Sequence, residues 1–326
     1  MPDAFLTGGT GFVGGAILRG LASEGRAVRA LARSAAGRET VGALGAEAVA
    51  GDLADGEALR RGMAGCRVVF HVAGVNALCL PDPAPLYRAN VDGAVAVVQA
   101  AAAAGVRRLV HTSSAVTIGE PAGVTATEAT PHRGRYLSHY ERSKHLGEQA
   151  VLAEGGRLGV EVVCVNPASV QGPGRTGGTA RLLIGYLSGR LRWTVDATFS
   201  LVFVDDCTQG HLLAERRGRP GERYLVSGAT LTVSEAVTLL GQLAGVRRRV
   251  RYLPAWVASA GASAMGSLWH LAGRQAPVCR EMARVLRHGA AYDGSRAARE
   301  LGLAYTPLDD WLRATIDWYR EQGLAG

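Results

Sequence analysis

Apolar residues in this chain gather in short unbroken runs, each closed by small or polar residues and followed by a stretch with helical spacing. The runs are Ala4–Thr7, Ala27–Ala32, Val49–Leu53, Val68–Gly74, Arg108–Ser114 and Val160–Val165. A run apolar at successive positions, rather than at alternate ones, predicts a strand covered on both faces. Between them Gly15–Ser23, Asp55–Met63, Tyr87–Ala104 and Tyr140–Leu152 read as helices. Strand and helix alternate in this way over about 165 residues, which predicts an α/β fold with a doubly wound parallel sheet. After Gly172 the pattern loosens. A Gly-rich loop spans Pro173–Gly178, strands are expected at Phe199–Asp205 and Tyr224–Ser227, and Asp205 and Asp206 would cap a helix over Cys207–Arg216. Further helices are expected at Ser234–Ala244, Pro254–Leu271, Cys279–Leu286 and Leu308–Gln322. The expected division is a dinucleotide-binding domain over residues 1–171 and a smaller, mostly helical lobe over 172–326, with segments near 199–227 returning to the main sheet.

The first run leads straight into Gly8-Gly9-Thr10-Gly11-Phe12-Val13-Gly14. Strand, glycine-rich turn and helix in that order form the setting of a dinucleotide site. Gly8 would permit the tight turn, Gly11 the approach of a pyrophosphate, and Gly14 the packing of helix on strand. The helix N-terminus offers free N–H groups to the phosphates. The second run ends Leu31-Ala32-Arg33-Ser34, where an NAD site would carry a carboxylate for the ribose 2′-hydroxyl. An arginine there pairs with a 2′-phosphate, so NADP(H) is expected over NAD(H), with Arg38 assisting Arg33. Asp52 is placed to accept from an adenine amino group, or to cap the helix after it. His71, inside an apolar run, reads as a packed core histidine.

Lys144 is the single lysine in a chain whose Lys and Arg together number 36. It follows Tyr140 by four residues, so the phenol and the ammonium share one helix face. A nearby cation favours phenolate, which would lower the tyrosine pKa and make Tyr140 a proton donor and acceptor.

Composition narrows the remaining possibilities. Hydrophobic residues make up 48% and charged residues 20%, a globular balance. The formal net charge is +8, but aromatics are only 6%, too few to interleave with arginines along a nucleic-acid groove. The positive field suits an anionic small molecule better. Ala255–Ala272 approaches the length of a membrane span, yet its small polar residues and His270 favour a helix packed on protein. The five cysteines (Cys66, Cys79, Cys164, Cys207 and Cys279) are scattered and odd in number, which predicts reduced thiols, no metal site and no disulfide framework. No secretory signal precedes the first strand, so a cytoplasmic setting is expected.

Taken together, Thr7–Gly14, Gly51-Asp52-Leu53, His71–Gly74, Thr112-Ser113-Ser114, Tyr140-x-x-x-Lys144, Asn166-Pro167 with Gly172-Pro173-Gly174, and Phe203–Asp206 resemble the extended short-chain dehydrogenase/reductases, the NAD-dependent epimerase/dehydratase family. Within it the chain looks most like the dihydroflavonol-reductase and 3β-hydroxysteroid-dehydrogenase branch. The resemblance implies that Tyr140 is the acid/base, that Lys144 binds the nicotinamide ribose and tunes the tyrosine, and that Ser114 holds the substrate oxygen. It also implies that Gly8, Gly11, Phe12 and Val13 line the pyrophosphate, Asp52 and Leu53 the adenine, Ala73 and Gly74 the nicotinamide ribose, and Pro167 and Val170 the nicotinamide amide. A homodimer through two long helices is common in such proteins. The arginine and aspartate that usually precede the Val-x-Asp motif in sugar-nucleotide enzymes are absent from Thr198–Phe203, and Val116-Thr117 stands where dehydratases carry an acidic pair. These departures point to an NADPH-dependent reductase of a ketone or aldehyde on a rather apolar molecule. A sugar epimerase or dehydratase is the alternative, and a dinucleotide-sensing protein without activity is a third reading that retention of the Tyr/Lys pair opposes. Trp193, Trp256, Met265 and Trp269 would line an apolar pocket or fill the core.

Overall fold

Runs that are apolar on both faces need their backbone groups paired and both faces covered, and a central parallel sheet meets both needs. The computed structural model describes residues 2–254, 257, 261, 269 and 279–325. Its main sheet has seven strands in the order Arg223–Val226, Glu161–Pro167, Arg108–Thr112, Val68–His71, Ala4–Thr7, Val28–Ala32, Glu47–Ala50. Every neighbouring pair is parallel. Alternate side chains go to opposite layers: Ala4 and Leu6 pack under the helices Phe12–Ser23 and Val204–Arg217, while Phe5 packs with Leu59, Met63 and Val97 on the other face. The chain builds outward from Ala4–Thr7 in one direction, then crosses to its other side at Val68–His71. A crevice opens at such a reversal, beyond the carboxyl ends of the strands.

The later half adds a three-stranded sheet, Ala229–Thr232, Thr198–Phe203 and Ser169–Gln171, which packs with the helices Ala180–Leu187, Val233–Ala244 and Leu308–Glu321. Of the stretch near 199–227, only Arg223–Val226 joins the main sheet. The helix expected from Cys207 starts earlier, at Val204, and no side chain caps it. Asp205 and Asp206 lie inside its first turn, where Asp206 accepts from the Thr306 backbone N–H and hydroxyl (3.0 and 2.7 Å). The helix after Asp52 is capped by Asp55, which accepts from Ala58 N at 2.9 Å. Most of the expected helix Pro254–Leu271, with Trp256 and Met265, lies outside the described residues. Among the described residues no helix is long and apolar enough to cross a membrane.

Candidate active site

A cleft of about 1530 Å³ runs along the carboxyl edge of the main sheet, and the glycine turn lines it after the interior strand Ala4–Thr7. Gly8 has φ +81°, a left-handed backbone that suits glycine. A Cβ there would also sit 2.6 Å from the Ala73 backbone nitrogen, so the turn and the strand end opposite it touch through backbone alone. At Gly14 a Cβ would fall 2.1 Å from the Gly8 carbonyl oxygen, which is why the helix can begin so close to the strand. Gly11 is the N-cap of that helix, and its first turn contains no acidic residue. Gly8, Gly11, Phe12 and Val13 all line the cleft, and the free N–H groups of the first turn would suit an anion. On one side of the turn stand Arg33, Asp52 and Leu53, after the strands Val28–Ala32 and Glu47–Ala50, and on the other stand Ala73 and Gly74, then Pro167 and Val170. Arg33 is exposed and, among the described residues, no carboxylate pairs with it, whereas Arg38 does not belong to the lining. The residues present therefore fit an anionic dinucleotide: a backbone cradle at the glycine turn, flanked by an exposed guanidinium.

Ser114, Tyr140 and Lys144 line the same cleft. Ser138 caps the helix His139–Leu158 by accepting from Glu141 N at 3.0 Å, which fixes the start of the helix one residue before Tyr140. Lys144 is buried and donates to the Thr112 carbonyl at 2.8 Å. Burial holds its amine down at about 8, with Glu148 opposing. The sequence predicted that the lysine would lower the tyrosine pKa. The tyrosine instead shifts upward, because burial of the phenol outweighs the opposing Ser114 hydrogen bond and the Arg175 charge. Tyr140 accordingly keeps its proton at neutral pH.

A buried scaffold fixes Ser114 from below. Its carbonyl accepts from the Thr117 hydroxyl (2.9 Å) and from Asn166 Nδ2 (3.3 Å). Thr117 and Asn166 in turn reach Glu148, whose other oxygen takes Arg223 at 3.1 Å. Thr117, where a dehydratase would place an acid, thus serves as a strut. Asn90 plays a similar part that its sequence position did not reveal. It bonds both the N–H and the carbonyl of Val75 (2.8 and 2.9 Å) and donates to Ser143 at 2.9 Å. A Cβ on Gly74 would lie 2.9 Å from the Asn90 side-chain oxygen, so the strand end, the asparagine and the Tyr140 helix fit only with glycine there. His71 is fully buried and bonds the Thr7 hydroxyl at 2.7 Å, as a packed core residue does.

The rest of the cleft departs from expectation. Trp193 is 52% exposed, lies outside the lining and stacks under Arg251 at 4.8 Å. Trp269 is also exposed. The apolar wall is built instead from Leu182, Phe199, Met282, Val285 and Leu286. Beside it Glu120, Arg133, His288 and Tyr292 form a polar corner that no motif signalled. The scattered cysteines are not all reduced. Cys79 and Cys279, 200 residues apart, form a disulfide, while Cys66, Cys164 and Cys207 are free and buried. The bridge joins the loop after Gly74 to the start of the helix Arg280–His288. Glu281 strengthens the joint by accepting from Cys79 N (2.9 Å) and His139 N (2.7 Å). Separation along the chain hid this pair, because spacing rules read only nearby cysteines.

Residues 4–227 match the family model described as the NAD dependent epimerase/dehydratase family. The chain belongs to that family and is an NAD(P)-dependent enzyme of the extended short-chain dehydrogenase/reductase type. It is 35% identical to a 4-hydroxy-2-methyl-3-oxo-4-farnesyl-3,4-dihydroquinoline-1-oxide ketoreductase of Stigmatella aurantiaca, over 99% of this chain and 97% of the relative. It is 32% identical to the sterol demethylase protein B of Methylococcus capsulatus, over 98% of each. The solved structure of gox2253 superposes with a TM-score of 0.86 at 31% identity, covering 100% of both chains.

Proposed function

We propose that the protein is an NADPH-dependent reductase of a ketone or aldehyde carried on a rather apolar molecule. The observation that carries this reading is one cleft that joins the glycine turn and Arg33 to Ser114, Tyr140 and Lys144 and then to an apolar wall. Similarity to a named ketoreductase over almost the whole chain supports it. Gly8, Gly11, Phe12 and Val13 would hold the pyrophosphate, Asp52 and Leu53 the adenine, and Arg33 the 2′-phosphate. Ala73, Gly74, Pro167 and Val170 would hold the nicotinamide end. NADPH, when bound, supplies the hydride. Ser114 donates a hydrogen bond to the carbonyl oxygen and steadies the negative charge that grows there. Tyr140, protonated at neutral pH, gives its proton to that oxygen. The Lys144 ammonium, seated on the Thr112 carbonyl, stabilises the phenolate left behind. Tyr140→Phe should lower ketone turnover by roughly 10³-fold, with NADPH affinity within about twofold of wild type. Turnover near the wild-type rate would remove Tyr140 from the chemistry.

The family match also favours a second reading, a sugar epimerase or dehydratase. It would be supported by NAD(H) remaining bound through purification and by conversion of a sugar nucleotide without added reductant.

A further inference from the structure

Glu120 is a carboxyl group in the polar corner of the cleft, beside the apolar wall. The residue is 3% exposed. It follows Gly119, which has φ +64° and turns the chain out of the short helical segment Ala115–Ile118. Its backbone carbonyl is held twice, by Arg133 and by His288 Nε2, each at 3.0 Å. Of the two carboxyl oxygens, Oε1 accepts weakly from the Tyr292 hydroxyl at 3.4 Å and faces His288 Nε2 at 3.6 Å. Oε2 is buried and has no hydrogen-bond partner among the described residues. Leaving a buried polar atom unpaired is costly, and a well-held one in a cleft calls for an explanation.

The surrounding charges offset the burial only in part. Arg133 opposes the effect of burial, but it pairs with Glu141 rather than with the Glu120 carboxyl. Glu141 on the helix His139–Leu158 adds like charge to the corner. His288, at the end of the helix Arg280–His288, is itself pushed below its ordinary pKa by burial, so it brings little positive charge at neutral pH. Burial consequently raises the Glu120 carboxyl to about 7. A protonated carboxyl has one O–H to donate as well as an oxygen to accept. Glu141 is also the residue next to Tyr140, and Arg133 links it to Glu120, so this corner is tied directly to the reacting end of the cleft.

We propose that Glu120, backed by Tyr292 and His288, forms a polar subsite that binds an oxygen substituent of the substrate, a hydroxyl or second carbonyl, apart from the carbonyl that is reduced. The inference rests on the reductase reading and narrows its substrate class to apolar skeletons with two oxygens. Ring ketones that differ only in the second oxygen test it: 1-decalone against decalin-1,5-dione and decalin-1,6-dione. Binding is measured by calorimetry to the protein saturated with NADP⁺, and turnover by NADPH oxidation. At least one dione should bind 10-fold or more tightly than 1-decalone. Glu120→Leu should bring that ratio to within about twofold of one, while Glu120→Gln, which keeps a donor and an acceptor, should retain at least a third of it. NADP⁺ affinity within twofold of wild type confirms that each variant is folded. Equal binding of all three ketones, binding of none, or a preference that survives Glu120→Leu would overturn the subsite. Glu120-dependent dione binding without turnover would keep the subsite and overturn the reductase reading. Turnover of all three with no dependence on Glu120 would do the reverse.

Discussion

The two ends of the cleft are built by different means. At the glycine turn, backbone sets the shape. Gly8, Gly14 and Gly74 are positions where a single Cβ would strike a neighbour within 3 Å, and two of the three contacts are backbone to backbone. At the far end, side chains set the shape. Met282, Val285, Leu286 and Tyr292 come from segments almost 300 residues along the chain, and a disulfide and one carboxylate fasten them to the loop after Gly74. A surface made of backbone tolerates little change and suits a ligand that never varies. A surface made of side chains can be altered one residue at a time. The contrast explains how one family keeps a dinucleotide while its substrates differ.

Changes at either end should therefore stay local. Arg33→Ala should weaken NADPH roughly 10- to 100-fold, the range for losing a charge-assisted hydrogen bond, and leave NADH within about twofold. Titration of both dinucleotides against intrinsic fluorescence measures this, and an equal loss for the two would detach Arg33 from the 2′-phosphate. Opening the Cys79–Cys279 bridge, by mild reduction or by Cys79→Ser with Cys279→Ser, should act on the opposite end. The expected outcome is a several-fold rise in KM for a ketone with little change in NADPH affinity. A fall in NADPH affinity alone would break the comparison. The smallest effect concerns stability. The unfolded chain releases the Glu120 proton near 4.5, whereas the folded protein holds it up to about 7. Between those values the folded state binds the extra proton, so this group's contribution to stability is intact below 4.5 and is lost as pH rises to 7. Glu120→Gln should flatten the Tm-versus-pH curve over that window. An unchanged slope would place the Glu120 pKa elsewhere.

The glycine-turn end was largely legible in the sequence. Unbroken apolar runs announce parallel strands, and the spacing of Gly8, Gly11 and Gly14 follows from local backbone demands that a sequence states directly. The Tyr140–Lys144 pair was legible for the same reason, since four residues on a helix fix their relation. Burial was not legible, and burial reverses the expected direction of the Tyr140 shift. Long-range pairing was hidden as well. Cys79 meets Cys279, and Glu120 meets His288 and Tyr292, across chain separations that no motif spans. Trp193 was misjudged because aromatic character alone does not say which way a two-residue strand presents its side chains.

The central claim is that one cleft brings a dinucleotide at the glycine turn and a ketone at Tyr140 into reacting contact. A single-turnover reaction of 1-decalone with NADPH deuterated at the transferable position of the nicotinamide tests it most directly. The account predicts an alcohol with one deuterium on the carbinol carbon from the wild-type protein, and almost none in the same time from Tyr140→Phe. An unlabelled alcohol, or equal label from both proteins, would contradict it.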